Sequence, residues 1–248
     1  MEKLMLIAGC SHAAGSEING CEDSIYNRTH SFGNQLAYKM GYKPINICQN
    51  GNANGSIARS ILNWFDKFYD PKSMKVFVLP CWTESVRLEV PSDILFWYEG
   101  SSKCTDWFDE SGRQFYRINM GFEGFGDEEK AIFNYFQKFV IKNNTFVEIM
   151  SANYVLQIQY FLKMQKVDYL MCNCMHMFTM PNDHLEFYTK LIDKSKYIDW
   201  DNNDQSFFWR YRNAGYENPK AKYWHHNEIP HQLYAEELFK FLKENKCF

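Results

Sequence analysis

The chain has 248 residues, of which 46% are hydrophobic and 18% aromatic, and a formal net charge of -3. That length allows one large domain or two small ones with a sizeable core. The weak negative charge argues against a general electrostatic grip on nucleic acid, and no apolar run approaches membrane-spanning length.

The first apolar run, Leu4 to Ala8, predicts a buried parallel strand closed by Gly9. Cys10-Ser11-His12 follows, so a hydroxyl stands at the strand's carboxyl end, where open α/β sheets place their ligands. Beyond a polar loop over Ser16 to Arg28, the spacing of Phe32, Leu36 and Met40 predicts a helix over Ser31 to Met40, stopped by Gly41. Pro44 to Cys48 reads as the second strand. The loop Gln49 to Gly55 is built of small and amide residues, and Ser56 is expected to cap a helix with Ile57, Ile61, Trp64 or Phe65, and Phe68 on its apolar side. Val76 to Pro80 reads as the third strand. Strand, helix, strand, helix, strand calls for a parallel sheet.

The middle is less regular. Glu89 to Asp127 is rich in aromatic residues without a firm period, and is expected to be an insertion over about 90–127 that serves as a lid, a binding loop or a self-packed excursion. Two helices are expected between Glu128 and about Lys166, broken near Asn143-Asn144. A fourth strand is expected over Val167 to Cys172, and a helix over Asp183 to Ser195. Lys196 to Lys222 shows no clear element. Pro230 is expected at the first position of the final helix. No repeat or clean linker appears, so a single domain over 1–248 is expected.

The eight cysteines include no C-x-x-C pair, and several lie in apolar runs. Cys172 and Cys174 would share one strand face, as packing rather than as metal ligands. A reducing, cytoplasmic setting fits this usage and a start with no evident secretory cleavage site. His225, His226 and His231 lack any carboxylate at zinc-motif spacing, so neither a metal nor another cofactor is expected.

Two stretches carry the chemistry. A serine that attacks a carbonyl needs a base within hydrogen-bond reach and donors for the oxyanion that forms. Ser11 offers the hydroxyl, and the loop Trp224 to His231, just before the last helix, offers histidines able to reach the same end of the sheet. The loop after the second strand offers donors: Gly51 through its backbone, Asn52 and Asn54 through amides.

Ser11 after the first strand, Gly51 after the second and His225 before the last helix resemble the SGNH (GDSL-type) hydrolase superfamily. His225-His226-Asn227 resembles its His-Pro-Asn, and His231 falls where many members carry a second, structural histidine. The resemblance implies a three-layer, flavodoxin-like α/β fold with a parallel sheet. It also implies hydrolysis of a small acyl ester, such as O-acetyl on a carbohydrate, through an acyl-enzyme. Ser11 and His225 would be catalytic, and Gly51, Thr83 and Asn54 would serve the oxyanion. His12, Trp82, Arg87 and Glu89 are expected beside the substrate, with Arg87 binding an anionic group or holding Glu89. The partner is then a small-molecule or glycan ester, with neither nucleic acid nor membrane involved.

Three features depart from the family pattern. Cys10 replaces the Asp before the serine. Thr83 stands where an oxyanion Asn is usual. Lys222 occupies the position of the catalytic acid. The stretch from Trp82 to Glu89 resembles SGNH-like proteins of tailed phages and aquatic bacteria. Asp199, Asp201, Asp204 and Glu228 are alternative acids, but a main-chain carbonyl from the loop Asn218 to Trp224 is expected to hold His225 Nδ1, with no carboxylate on it. The rival expectation is a non-catalytic binding or virion-associated protein that keeps the fold.

Overall fold

The structure is a computed structural model that describes residues 1–91, 115–118, 134–135, 137–141, 144–178 and 183–245. Strand β1 (Glu2–Gly9) is buried from Leu4 onward. It lies between β2 (Lys43–Asn46) and β3 (Met74–Trp82), paired in parallel with both. Two short strands, β6 (Asp168–Tyr169) and β7 (Cys172–Asn173), pair with the other edge of β3, also in parallel. The order is β2-β1-β3-β6, with β7 continuing along β3.

Alternation along β1 sends its side chains to two cores. Met5 and Ile7 pack with Phe32, Leu36, Phe77, Leu79, Phe207 and Leu238. Leu4, Leu6 and Ala8 pack with Ile57, Ile61, Val76, Val78, Val155 and Ile158. The first layer is supplied by α3 (Phe32–Met40), α7 (Phe207–Asn213) and α8 (Glu228–Glu244). The second is supplied by α4 (Asn54–Phe68) and α5 (Asn144–Gln165). A strand covered on both faces needs an unbroken apolar run, which is why Leu4 to Ala8 was readable.

Several boundaries differ from expectation. The polar loop after Ser11 contains two short helices, α1 (Ser11–Ala14) and α2 (Ile25–His30). Helix α4 begins at Asn54 behind Ala53 rather than at a Ser56 cap, and Phe68 is exposed. The expected fourth strand breaks at Leu170-Met171, where Leu170 N–H donates to Val78 O but Met171 N–H turns to Lys196 O. The expected helix over 183–195 is α6 (Asp183–Thr189) followed by a 3-10 turn at Lys194–Lys196. Lys196 to Lys222, expected to be featureless, carries a 3-10 turn at Asn203–Gln205 and α7. In α8 Asn227 is the cap, its side chain accepting from Ile229 N–H at 3.1 Å, and Pro230 is the third helical residue.

Within the expected insertion, β4 (Leu88–Pro91) and β5 (Phe115–Ile118) form an antiparallel pair. The rest of 90–127, and residues 128–133 of the expected first helix, lie outside the described residues. Gln137–Ile141 is a π-helical turn just before α5. Cys10, Cys48, Cys81, Cys172 and Cys174 are free, buried thiols of the first core. Among the described residues no helix is long and apolar enough to cross a membrane.

Candidate active site

Ser11 owes its place to Gly9. A Cβ on Gly9 would lie 2.7 Å from Ala13 Cβ and 2.8 Å from Cys81 Cβ, so only glycine lets β1 run beside β3 and turn at once into α1. Cys10 stays extended in the cap position and Ser11 is the first helical residue. The loop after β2 is tied to the same turn. Gly9 O accepts from Gln49 N–H at 3.1 Å and from Asn52 Nδ2 at 3.1 Å, and Ser16 Oγ donates to Asn50 Oδ1 at 2.5 Å. Gly51, at φ 68°, sits in that loop.

The chain leaves α1 through the left-handed Gly15 and reaches Glu17, which is itself left-handed at φ 61°. This turn buries the Glu17 carboxylate, only 3% exposed, against the loop before α8. Its Oε2 lies 2.6 Å from His225 Nδ1. Lys222 N–H donates to Oε1 at 2.8 Å and Tyr223 N–H to Oε2 at 3.0 Å. Burial pushes the Glu17 pKa up, but the bonds from His225, Lys222 and Tyr223 outweigh it and hold the carboxyl below its ordinary value. A carboxylate accepts only, so Nδ1 carries the proton and Nε2 is left as the basic nitrogen.

The expectation that a main-chain carbonyl holds His225 Nδ1, with no carboxylate on it, is therefore overturned. Lys222 does contribute, but as a backbone donor to Glu17 rather than through its side chain. Two of the other acids weighed for this place, Asp199 and Glu228, are engaged elsewhere. Asp199 Oδ2 binds Arg210 at 2.6 Å, and Glu228 Oε2 accepts from Tyr26 OH at 2.7 Å. Sequence reasoning missed Glu17 because the partners of a carboxylate in a polar loop depend on the backbone turn beneath it. The one available signal was an acid six positions after Ser11.

His12 is buried, with its ring centroid 4.6 Å from that of His225 and 5.1 Å from that of Phe208. Burial first, then the neighbouring histidines and Arg87, hold its pKa well below the ordinary value. Its Nδ1 has no hydrogen-bond partner among the described residues. His226 is tied to the main chain, with Nδ1 3.0 Å from Tyr216 O and Nε2 3.0 Å from Phe208 O. His231 Nδ1 accepts from Phe32 N–H at 3.2 Å, satisfying a donor at the start of α3 that the cap residue Ser31 leaves open.

Asn54 clamps Thr83. Its Oδ1 accepts from Thr83 N–H at 2.9 Å, and its Nδ2 donates to Thr83 O and to Ser151 Oγ, each at 3.1 Å. Both amide hydrogens are thus committed. Thr83 Oγ1 is buried with no partner among the described residues. Trp82 is fully buried in the second core, so its ring is a packing element rather than a wall of the cleft. Glu89 pairs with Arg59 at 2.9 Å rather than with Arg87, which pairs with Glu84. Among the described residues no cluster of three His, Cys, Asp or Glu side chains is arranged to hold a metal ion.

No protein-family model matches the sequence, and no curated protein does. Solved structures do. A carbohydrate esterase family 2 enzyme with a carbohydrate-binding domain, from Corynascus thermopiles (Myceliophthora fergusii), superposes with a TM-score of 0.50 at 12% identity, covering 100% of this chain and 67% of that one. The psychrotrophic esterase EstA of Pseudoalteromonas sp. gives 0.44 at 10% identity, covering 97% of each chain. The acetyl xylan esterase Est2A of the rumen bacterium Butyrivibrio proteoclasticus gives 0.42 at 12% identity, covering 99% of this chain and 64% of that one. The first of these likenesses shows the fold, an α/β architecture with a parallel sheet and helices on both sides.

Proposed function

We propose that the protein is a serine ester hydrolase of SGNH type that removes a small acyl group, such as acetyl, from a carbohydrate or another small alcohol. One observation carries this reading: the His225–Glu17 pair, at 2.6 Å, beside the turn that presents Ser11. A serine, a histidine free at Nε2 and a carboxylate on Nδ1 make up the acyl-transfer constellation wherever they meet, whatever the chain order. The fold likeness to a carbohydrate esterase points the same way.

In this reading Ser11 Oγ attacks the ester carbonyl as His225 Nε2 takes its proton. Glu17 fixes the ring and offsets the positive charge that appears on it. The backbone N–H groups of Ser11 and Gly51, with the Thr83 hydroxyl, meet the oxyanion. Asn54 acts one step back, by fixing Thr83. The imidazolium returns its proton to the departing alcohol, and a water activated by His225 then releases the acyl group from Ser11.

Labelling with a fluorophosphonate tests the reading without knowledge of the substrate. Wild-type protein should be modified at Ser11, and the Ser11→Ala variant should not. Labelling that persists unchanged in Ser11→Ala removes Ser11 from the role, and a wild-type Ser11 that stays unmodified favours the non-catalytic alternative.

A further inference from the structure

Arg87 lies between β3 and β4, just past the carboxyl end of the sheet. Its side chain is only 15% exposed, yet its guanidinium is thinly partnered. Nε meets Glu84 Oε2 at 3.1 Å, and Nη2 is directed at a thioether, Met175 Sδ, at 3.4 Å. Thioether sulfur is a weak acceptor. Among the described residues, Nη1 has no acceptor. A guanidinium carries five N–H donors, and a largely buried cation is normally matched by oxygen acceptors on most of them.

The place of this cation matters as much as its partners. Met175 directly follows Cys174, whose thiol meets that of Cys10, the residue before Ser11. The Arg87 charge is felt on both sides of Ser11. It helps to depress the Cys10 thiol, which the bond from Cys174 chiefly brings down to about 6 against burial, and it adds to the lowering of His12. The guanidinium thus lies near the turn that carries Ser11, beside the packed cluster that holds Cys10 and Met175, and among the described residues its Nη atoms have no oxygen acceptor.

We propose that Arg87 is the recognition group for a carboxylate on the ester substrate, so that the preferred substrate is an acyl ester bearing one negative charge. The inference rests on the esterase reading for what is turned over, but not for what is bound. A planar Nη edge matches a carboxylate through two parallel hydrogen bonds. Glu84 on Nε lowers the local positive charge, which suits a monoanion over a phosphate dianion. The carboxylate belongs either to the alcohol, as in an acetylated uronic acid, or to the acyl group, as in a dicarboxylate half-ester.

Two matched pairs separate these sources. O-acetylglucuronate against O-acetylglucose tests the alcohol side, and mono-4-nitrophenyl glutarate against 4-nitrophenyl pentanoate tests the acyl side. In wild-type protein the anionic member of one pair should have the higher kcat/KM. In Arg87→Gln that anionic-to-neutral ratio should fall about tenfold to a hundredfold, the range set by a hydrogen bond to a charged group, and mainly through KM. Arg87→Lys should keep part of it. A ratio is insensitive to how much of a variant folds, so a purely structural Arg87 would leave it unmoved. A ratio unchanged in Arg87→Gln, or neutral members preferred in both pairs, overturns the proposal.

Calorimetric titration of glucuronate and glutarate into Ser11→Ala and into Ser11→Ala/Arg87→Gln supplies a readout without turnover. If none of the four esters shows Ser11-dependent hydrolysis, the esterase reading fails and the titration alone decides on Arg87. Carboxylate binding that needs Arg87 then upholds the anion site, and equal binding or none to both proteins refutes it.

Discussion

Glu17 and His225 are separated by 208 positions in sequence, yet the carboxylate of one lies 2.6 Å from Nδ1 of the other. The pair joins the loop after the first strand to the loop before the last helix. Two backbone donors, Lys222 N–H and Tyr223 N–H, complete the shell of the same carboxylate. Glu17 therefore fixes both the imidazole and the backbone that carries it.

Replacing Glu17 by Gln should separate these duties. The amide oxygen can still accept from the loop, but the charge that offsets an imidazolium is gone. Turnover of an acetyl ester should fall about 10²–10⁴-fold, in line with the loss seen when a triad histidine loses its carboxylate, with KM little changed. Steady-state kinetics at neutral pH checks this. A kcat equal to wild type would show that His225 needs no carboxylate.

Replacing Glu17 by Ala should also cost stability, about 1–3 kcal/mol for the buried His225 N–H left unpaired. Acid should have a related effect. The folded Glu17 pKa lies below its ordinary value of 4.5, so its contribution is whole above about pH 4.5 and is lost as pH falls through the folded value. Urea midpoints from pH 6 to pH 3 should decline more steeply in wild type than in Glu17→Gln.

The two adjacent histidines should behave differently. His225→Ala should abolish fluorophosphonate labelling of Ser11 in protein that is still folded, with some loss of melting temperature because the buried Glu17 carboxylate loses a partner. His226, held between two main-chain carbonyls, should when replaced by Ala lower the melting temperature, with labelling retained in the folded fraction. The opposite pattern would make His226 the base.

His231 predicts a pH effect on stability at milder acidity. Its Nδ1 accepts from Phe32 N–H, which requires a neutral ring, and burial holds its folded pKa well below 6.5. The unfolded chain therefore takes up the proton first. The stabilisation is full above about pH 6.5 and weakens below it, by up to about 1.4 kcal/mol per pH unit for one such group. His12 should add to the slope. Urea unfolding between pH 7.5 and 5.5 should show the decline, and His231→Ala should be less stable at pH 7.5 but flatter with pH. A slope unaffected by the substitution would remove His231 as its source.

Asn54→Ala leaves Thr83 N–H and C=O without their side-chain partner in a buried position. A loss of about 1–3 kcal/mol is expected, read as a lower urea midpoint with an unchanged slope. Activity should fall as well, because Thr83 would no longer be fixed at the end of β3. Full activity with reduced stability would limit Asn54 to a structural role.

The elements that could be read from the sequence were those whose side-chain period matches their own geometry. Leu4 to Ala8 alternates between two covered faces, and Phe32, Leu36 and the left-handed Gly41 mark a helix and its end. Ser11, Gly51 and His225 were legible as candidates because each stands at the edge of such an element. Lys196 to Lys222 was illegible, since α7 is short and is set by the packing of Phe207 and Phe208 in a ring cluster contributed by distant segments.

What the sequence determined by itself was the order of the main strands, the longer helices and the two turns that carry Ser11 and His225, because local periodicity and turn chemistry suffice for these. Tertiary structure alone decided the partners of the charged groups. Glu17 found His225, Arg59 found Glu89, and Arg87 found Glu84 and a thioether. A charge pays for burial only through contacts, and those contacts come from segments far apart in the chain. No local pattern records them, so Lys222, at the family's acid position, gave no hint that His225 would meet a carboxylate from the loop after the first strand.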